Sequence, residues 1–248
     1  MQSVQELDFE KEVVETLTTG KNQWVERKDL YMATPDKLWA NLRDKINNNN
    51  YAKLHGNPLT ENEFNQIKRA IEVPNPYQAA KLLAAENGIG KVEIQRDDAK
   101  EGKVVLELFW KADVAGGKSS YEVVRQAVRP ALRPGDAKRR FDVTLLINGL
   151  PLIQLEFKKS TVELTKAFNQ IQKYALEGKY TGIYSLIQMF VIMSPDSSAY
   201  FANAEPDKFN KSFIFKWRTP DNHPVENGID FTKQVLNIPM AHKLVGEY

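Results

Sequence analysis

Residues 141–158 read Phe141-Asp142-Val143-Thr144-Leu145-Leu146-Ile147-Asn148-Gly149-Leu150-Pro151-Leu152-Ile153-Gln154-Leu155-Glu156-Phe157-Lys158, two alternating segments joined at Asn-Gly. Successive side chains of a strand point to opposite faces, so parity sorts this stretch. Phe141, Val143, Leu145 and Ile147 share one face, and Ile153, Leu155 and Phe157 form an equally apolar row. The other parity carries Asp142, Thr144, Gln154, Glu156 and Lys158, with Leu146 and Leu152 near the turn. Register decides whether the rows meet, because a one-residue slip moves every side chain to the other face. A two-residue turn at Asn148-Gly149 pairs Asp142 with Leu155 and mixes the rows. A three-residue loop over 148–150 pairs Asp142 with Glu156 and keeps them apart. The expectation is the odd loop, or a bulge that compensates for an even one.

Two carboxylates side by side repel unless a cation lies between them, and hard divalent ions such as Mg²⁺ are held by one or two carboxylates with water and substrate phosphate. A nearby lysine can orient a water or offset charge on a phosphoryl group. The pattern therefore points to phosphodiester hydrolysis. Taken alone, the same residues more often make a surface hairpin with solvated charges.

Downstream, Leu164, Ala167, Phe168, Ile171 and Ala175 recur with helical period over about 161–177, with Ser160 or Thr161 as cap and Gly178 as terminator. Gln170 and Tyr174 stand one turn apart along an edge of this stripe, so a helix packed beside the hairpin aims both at its charged face.

The wording Arg140-Phe141-Asp142-Val143-Thr144, Asn148-Gly149-Leu150-Pro151-Leu152 and Glu156-Phe157-Lys158-Lys159 resembles the amino-terminal nuclease domain of type I restriction enzyme R (HsdR) subunits, within the PD-(D/E)XK superfamily. The stretch 167–174 is similar to the Q-x-x-x-Y element that comes after the hairpin in that family. The resemblance is close over 140–174, extends in outline over 91–203 and is thin elsewhere. It implies an α/β fold with a mixed central sheet flanked by helices and extra amino-terminal helices. It implies Mg²⁺-dependent cleavage of double-stranded DNA, with Asp142 and Glu156 as metal ligands, the Phe157 carbonyl as a further ligand, Lys158 assisting the attacking water or the phosphate, and Gln170 and Tyr174 positioning DNA or Lys158. In such enzymes the R subunit continues into an ATP-driven helicase-like motor, and modification (M) and specificity (S) subunits complete the complex. ATP would serve that motor and not this chain. Two alternatives remain open: a DNA-binding or assembly module inactive by itself, and a repair- or resolvase-type nuclease.

Composition agrees with a catalytic domain. The 248 residues carry a formal net charge of +2, too balanced for a protein that coats DNA, so any basic surface is local. Lys138, Arg139, Arg140 and Lys159 surround the acids and suit a phosphate backbone, Arg139, Arg140 and Lys159 being the DNA-binding candidates. There is no cysteine, which excludes thiolate metal sites, and the three histidines, His55, His223 and His242, lack metal-ligand spacing. Neither a signal peptide nor a membrane-length apolar run is visible, so a cytoplasmic location is expected. The stretch from Ala112 to Ser119 fits a relaxed phosphate-loop pattern, but 120–128 is rich in β-branched residues and reads as a strand where such a loop needs a helix. It is read as a hairpin connection.

The chain is expected to form an endonuclease domain over 1–212, mainly helical to 90 with a catalytic sheet core over 91–212, and then over 213–248 a linker and helices leading toward a motor. A helix over 9–17 places Glu10 beside its apolar face. Related nucleases often draw an acid from a first helix, although a salt bridge at the edge of the face is commoner. Further helices are expected at 35–46, capped by Thr34 and stopped by the asparagines at 47–50, from the capping box Thr60 with Glu63, and after Pro76 through 85. Segments 91–95, 103–110 and 121–128 together with the hairpin suggest a largely antiparallel meander. The apolar run 185–193 suits a strand buried on both faces, joined in parallel by the helical crossover, with a last strand at 199–203.

Overall fold

The computed structural model describes residues 4–20, 23–85, 87–114 and 117–247. Helix α1 (Val4–Thr18) and the short strand β1 (Val25–Glu26) precede three helices, α2 (Pro35–Asn49), α3 (Glu61–Ile71) and α4 (Pro76–Ala84). Next come strands β2 (Ile89–Gln95), β3 (Lys103–Trp110), β4 (Tyr121–Arg125), β5 (Val128–Arg129), β6 (Arg139–Arg140), β7 (Val143–Ile147) and β8 (Leu150–Phe157). Helix α5 (Leu164–Leu176) crosses over to β9 (Met189–Ser194), and β10 (Ser197–Ala202), α6 (Gly228–Val235) and α7 (Ile238–Glu247) complete the described chain.

The central sheet has the order β1-β4-β7-β8-β9-β10. β1 runs parallel to β4 and β9 parallel to β8, while the other neighbours are antiparallel. A parallel neighbour needs a long crossover, and α5 supplies it. Every residue of β7, β8 and β9 is buried, so the middle of the sheet is covered on both faces. Among the described residues no helix is long and apolar enough to cross a membrane.

Several local expectations are corrected. β2 and β3 form a two-stranded sheet of their own instead of entering a meander. The side-chain amide of Asn50 occupies the backbone of β3 on both sides of Glu107, donating to its carbonyl at 2.9 Å and accepting from its N–H at 2.8 Å, and Lys53 Nζ donates to Val105 O at 3.1 Å. With that edge capped, β3 has no ladder positions to offer the main sheet there. The same contacts explain why the asparagine run does not stop α2, which continues to Asn49 before Asn50 docks. The strand expected over 121–128 breaks at Gln126, in the left-handed region with φ 57°, and Val128 and Arg129 pair instead with β6. α5 starts at Leu164, because 159–162 first make a turn closed by Val162 N donating to Lys159 O, and Ser160 and Thr161 fall within it. The buried strand starts at Met189, since Gly182–Leu186 is a 3-10 turn anchored by Ser185 Oγ donating to Ile71 O at 2.6 Å. Within the phosphate-loop-like stretch, residues 115 and 116 lie outside the described residues, and the next element of the chain is strand β4.

The tail helices pack onto the body. Phe231, Val235 and Leu236 are buried, and Trp24 Nε1 donates to Leu236 O at 2.8 Å. His242 is fully buried and stacked on Phe109, with Nδ1 2.8 Å from the Tyr121 hydroxyl and Nε2 donating to Trp110 O (2.9 Å). Trp110 O requires a proton on Nε2, the hydroxyl can face Nδ1 in either ring form, and it is burial that favours the neutral ring. Burial lowers its pKa below the ordinary 6.5, against the pull of Trp110 O and nearby Asp113. Stability from this group is therefore present above the ordinary value and lost as pH falls through the depressed one. His242→Phe is expected to unfold more readily at neutral pH, by roughly 1–2 kcal/mol for the orphaned partners, with the gap to wild type closing as thermal melts are taken toward pH 5. A gap that stays constant would refute the neutral-ring assignment.

Candidate active site

The hairpin turn is the even one, corrected by a bulge. Asn148 (φ 55°) and Gly149 (φ 78°) are both left-handed, as a type I′ turn requires, and Ile147 pairs with Leu150. The register shifts between Leu145 and Leu146, after which Val143 pairs with Leu155 and Thr144 with Gln154. Continued by one residue, this brings Asp142 opposite Glu156, and Phe157 N donates to Asp142 Oδ2 at 2.8 Å. The expected convergence of the two acids is thus achieved with the extra residue in β8 instead of the loop.

Asp142 and Glu156 are only 4% and 2% exposed, which rules out a solvated-charge hairpin. Burial first, then the neighbouring Glu156, raises the Asp142 carboxyl well above the ordinary range. Burial also raises Glu156, against Lys158, whose Nζ lies 3.0 Å from Glu156 Oε1 and 2.9 Å from Phe157 O. From α5, Gln170 Nε2 donates to Glu156 Oε1 and sits 3.1 Å from Tyr174 Oη. Tyr174 is pushed up to about 12, chiefly by burial and next by Glu156. Behind the acids, Thr144 Oγ1 donates to Gln154 Oε1 at 2.7 Å, so the remaining polar pair on this face is satisfied internally. The acids, Lys158, Gln170 and Tyr174 open onto a cleft of about 560 Å³, rimmed by Glu6, Lys138, Arg139 and Arg140.

The other candidates divide. Arg140 is exposed at the rim, whereas Arg139 is held by Glu177 and stacked 5.1 Å from the Tyr174 ring centre. Lys159 is half-buried and does not line the cleft. Glu10 is fully buried, accepts from Arg125 Nε at 2.8 Å and from Gln126 Nε2, and is close enough to raise Asp142 further. Glu10 thus makes a salt bridge with Arg125 of the kind common for an acid at a helix edge. Gln126 went unnoticed in the sequence. Its backbone N–H donates to Asp142 O at 2.7 Å while its side chain holds Glu10, and its left-handed conformation has no signature in a residue type that rarely adopts it.

Among the described residues no group of three or more His, Cys, Asp or Glu is placed to hold a metal ion. The available donors are two carboxylates and the Phe157 carbonyl. That set fits a hard divalent cation which keeps several waters, and two like charges buried together call for one.

Fold and site together define a mixed α/β domain with a buried diacid and a lysine on its central hairpin. The chain belongs to the family described as type I restriction enzyme R protein N terminus, whose model matches residues 4–209. It is 30% identical over 213 residues to the type I restriction enzyme SauCOLORF180P endonuclease subunit of Staphylococcus aureus (strain COL), covering 86% of this chain and 21% of that one. It is 29% identical over 244 residues to the SsaAORF53P endonuclease subunit of Staphylococcus saprophyticus, covering 98% and 24%. Over 110 residues it is 37% identical to the EcoprrI endonuclease subunit of Escherichia coli, covering 43% and 35%. The chain thus spans about a fifth to a quarter of the staphylococcal relatives' length.

Proposed function

We propose that this chain is the PD-(D/E)XK nuclease domain of a type I restriction enzyme R subunit, hydrolysing phosphodiester bonds of double-stranded DNA with Mg²⁺. The observation that carries this reading is the buried pair Asp142 and Glu156 beside Lys158 at the floor of a cleft with a basic rim. The endonuclease names of its relatives support it. The two carboxylates and the Phe157 carbonyl would hold the cation, which when bound supplies Lewis-acid polarisation of a phosphoryl oxygen. Lys158 orients the attacking water and offsets charge accumulating on the phosphate. Gln170 fixes the Glu156 carboxylate, and Tyr174 fixes Gln170. Residues 1–212 carry the nuclease core, helices α6 and α7 of the 213–248 segment are packed onto it, and the full subunit would add an ATP-driven motor, the whole working in the cytoplasm with M and S subunits that select the DNA.

In the enzyme assembled around this chain, Lys158→Ala is expected to lower plasmid cleavage by about 10²–10³-fold while ATP-driven translocation continues. Cleavage at the wild-type rate would remove the site assignment.

A further inference from the structure

Between β5 and β6 the chain makes an arm, residues 130–138, all of them exposed. Its tip is closed internally, with Arg133 N donating to Asp136 Oδ2 and Asp136 N to Arg133 O. Among the described residues, Arg133, Lys138 and Arg140 make no ion pair, and Lys138 and Arg140 stand on the rim of the cleft that holds the diacid. The base of the arm, by contrast, is fastened to the turn after α5. Arg139 grips Glu177 in a two-pronged ion pair, with Nε at 2.7 Å from Oε2. Buried Lys179 donates to Pro130 O at 3.1 Å, and buried Arg129 donates to Thr181 O at 3.2 Å. Leu132 closes over Gly178, where a Cβ would lie 3.3 Å from its Cδ1.

Two kinds of cation are therefore built into one short segment. Arg129, Arg139 and Lys179 are spent on main-chain carbonyls and Glu177, and a guanidinium already forked onto a carboxylate has little left for a phosphate. Lys138 and Arg140 are solvated and unpaired on the rim of the one cleft where the described residues gather two buried acids and a lysine, and Arg133 is solvated and unpaired at the tip of the same arm. Unpaired surface cations at such a rim suit a polyanion, whose condensed counterions they displace.

We propose that the 130–140 arm is a sequence-independent clamp for the phosphodiester backbone of duplex DNA, with Arg133, Lys138 and Arg140 as its contacts and the Arg139–Glu177 pair as the latch that sets its angle. This deepens the nuclease reading and rests on it for the identity of the polyanion. It also removes Arg139 from the DNA contacts expected from the sequence and makes it a positioning residue. The latch reaches the diacid through a short relay of side chains, since the Arg139 guanidinium stacks on Tyr174, whose hydroxyl meets Gln170, which holds Glu156.

The test is binding of the 248-residue chain to a short mixed-sequence duplex, measured by fluorescence anisotropy in EDTA over a salt series. The triple variant Arg133→Gln, Lys138→Gln, Arg140→Gln is expected to lower the slope of log affinity against log salt by about 0.9 per lost contact. At ~0.1 M salt that corresponds to about tenfold in affinity per contact, equally for unrelated sequences. Its thermal midpoint should match wild type. Arg139→Gln keeps all three contacts and breaks the latch without freeing a cation, so affinity should fall by about three- to tenfold with little change in salt slope. A triple variant with wild-type slope and affinity overturns the clamp, and Arg139→Gln binding as wild type overturns the latch. Because cleavage plays no part in the measurement, failure of the catalytic assignment at Lys158 would appear separately from failure of the clamp.

Discussion

Asp142→Asn is expected to abolish DNA cleavage, by about 10³-fold or more, and at the same time to raise the unfolding temperature of the metal-free chain at neutral pH. Both effects come from one arrangement. The Asp142 carboxylate is buried against Glu156, so charge that would serve a cation works against the fold in the cation's absence. Asparagine keeps the Oδ1 acceptor for the Phe157 N–H and changes little in volume, but it removes the like-charge repulsion. This arrangement also sets the sign of the pH dependence. Both acids have folded-state pKa values above the ordinary carboxylate range, so the folded protein holds protons that the unfolded chain releases. Their contribution to stability is complete below pH ~4 and is lost as pH rises through the elevated values. Asparagine should therefore be nearly neutral at pH ~4 and stabilising at pH ~7.5, on the order of 1 kcal/mol or ~2–4 °C for a chain of this size. Adding Mg²⁺ should stabilise wild type and leave Asp142→Asn unmoved. Thermal melts at the two pH values, with and without Mg²⁺, measure all of this. A variant that is less stable than wild type by the same margin at both would show that the acids are not an uncompensated pair.

The hairpin was legible because strand parity is a strict rule, and because the acid, acid and lysine fall on one parity only if an odd residue intervenes. Parity says nothing about where that residue sits. It can lie in the loop or in a strand, and the left-handed preference of Asn148-Gly149 settles the turn at two residues and forces the bulge into β8. The helix carrying Gln170 and Tyr174 was legible for a similar reason: its stripe has one period and its edge faces the acids. What could not be read depends on partners distant in the chain. Arg139 looked like a free cation beside Asp142, and only the return of α5 brings Glu177, 38 residues away, against it. The separation of β2 and β3 from the main sheet turns on Asn50, whose amide imitates a strand edge from 57 residues away. Neither side chain carries a local signal for such a bond.

Gly149→Ala should cost the fold about 2–4 kcal/mol. Two separate terms add. Gly149 sits at φ 78°, where a Cβ costs about 1 kcal/mol. It also faces the backbone of α2, so that an added Cβ would lie 2.9 Å from Leu42 Cα, 3.3 Å from Leu42 N and 3.2 Å from Lys45 Cγ. The lysine chain can move aside, but Leu42 is fully buried and its helix can yield only by shifting as a body, the kind of overpacking that costs roughly 1–3 kcal/mol. Gly135 provides the control, because it too is left-handed, with φ 89°, yet nothing lies within 4 Å of its added Cβ. Gly135→Ala should show the conformational term alone, about 1 kcal/mol. Urea unfolding of the two variants, taken with their m-values, isolates the cost of the close approach as the difference between them. Equal losses would mean that α2 does not press on the turn. Since Asp142 and Glu156 meet at the opposite end of the hairpin, beyond the bulge, the folded fraction of Gly149→Ala should keep the site intact. Its activity should then fall in step with the unfolded population and recover at lower temperature, whereas Asp142→Asn stays inactive however well it is folded.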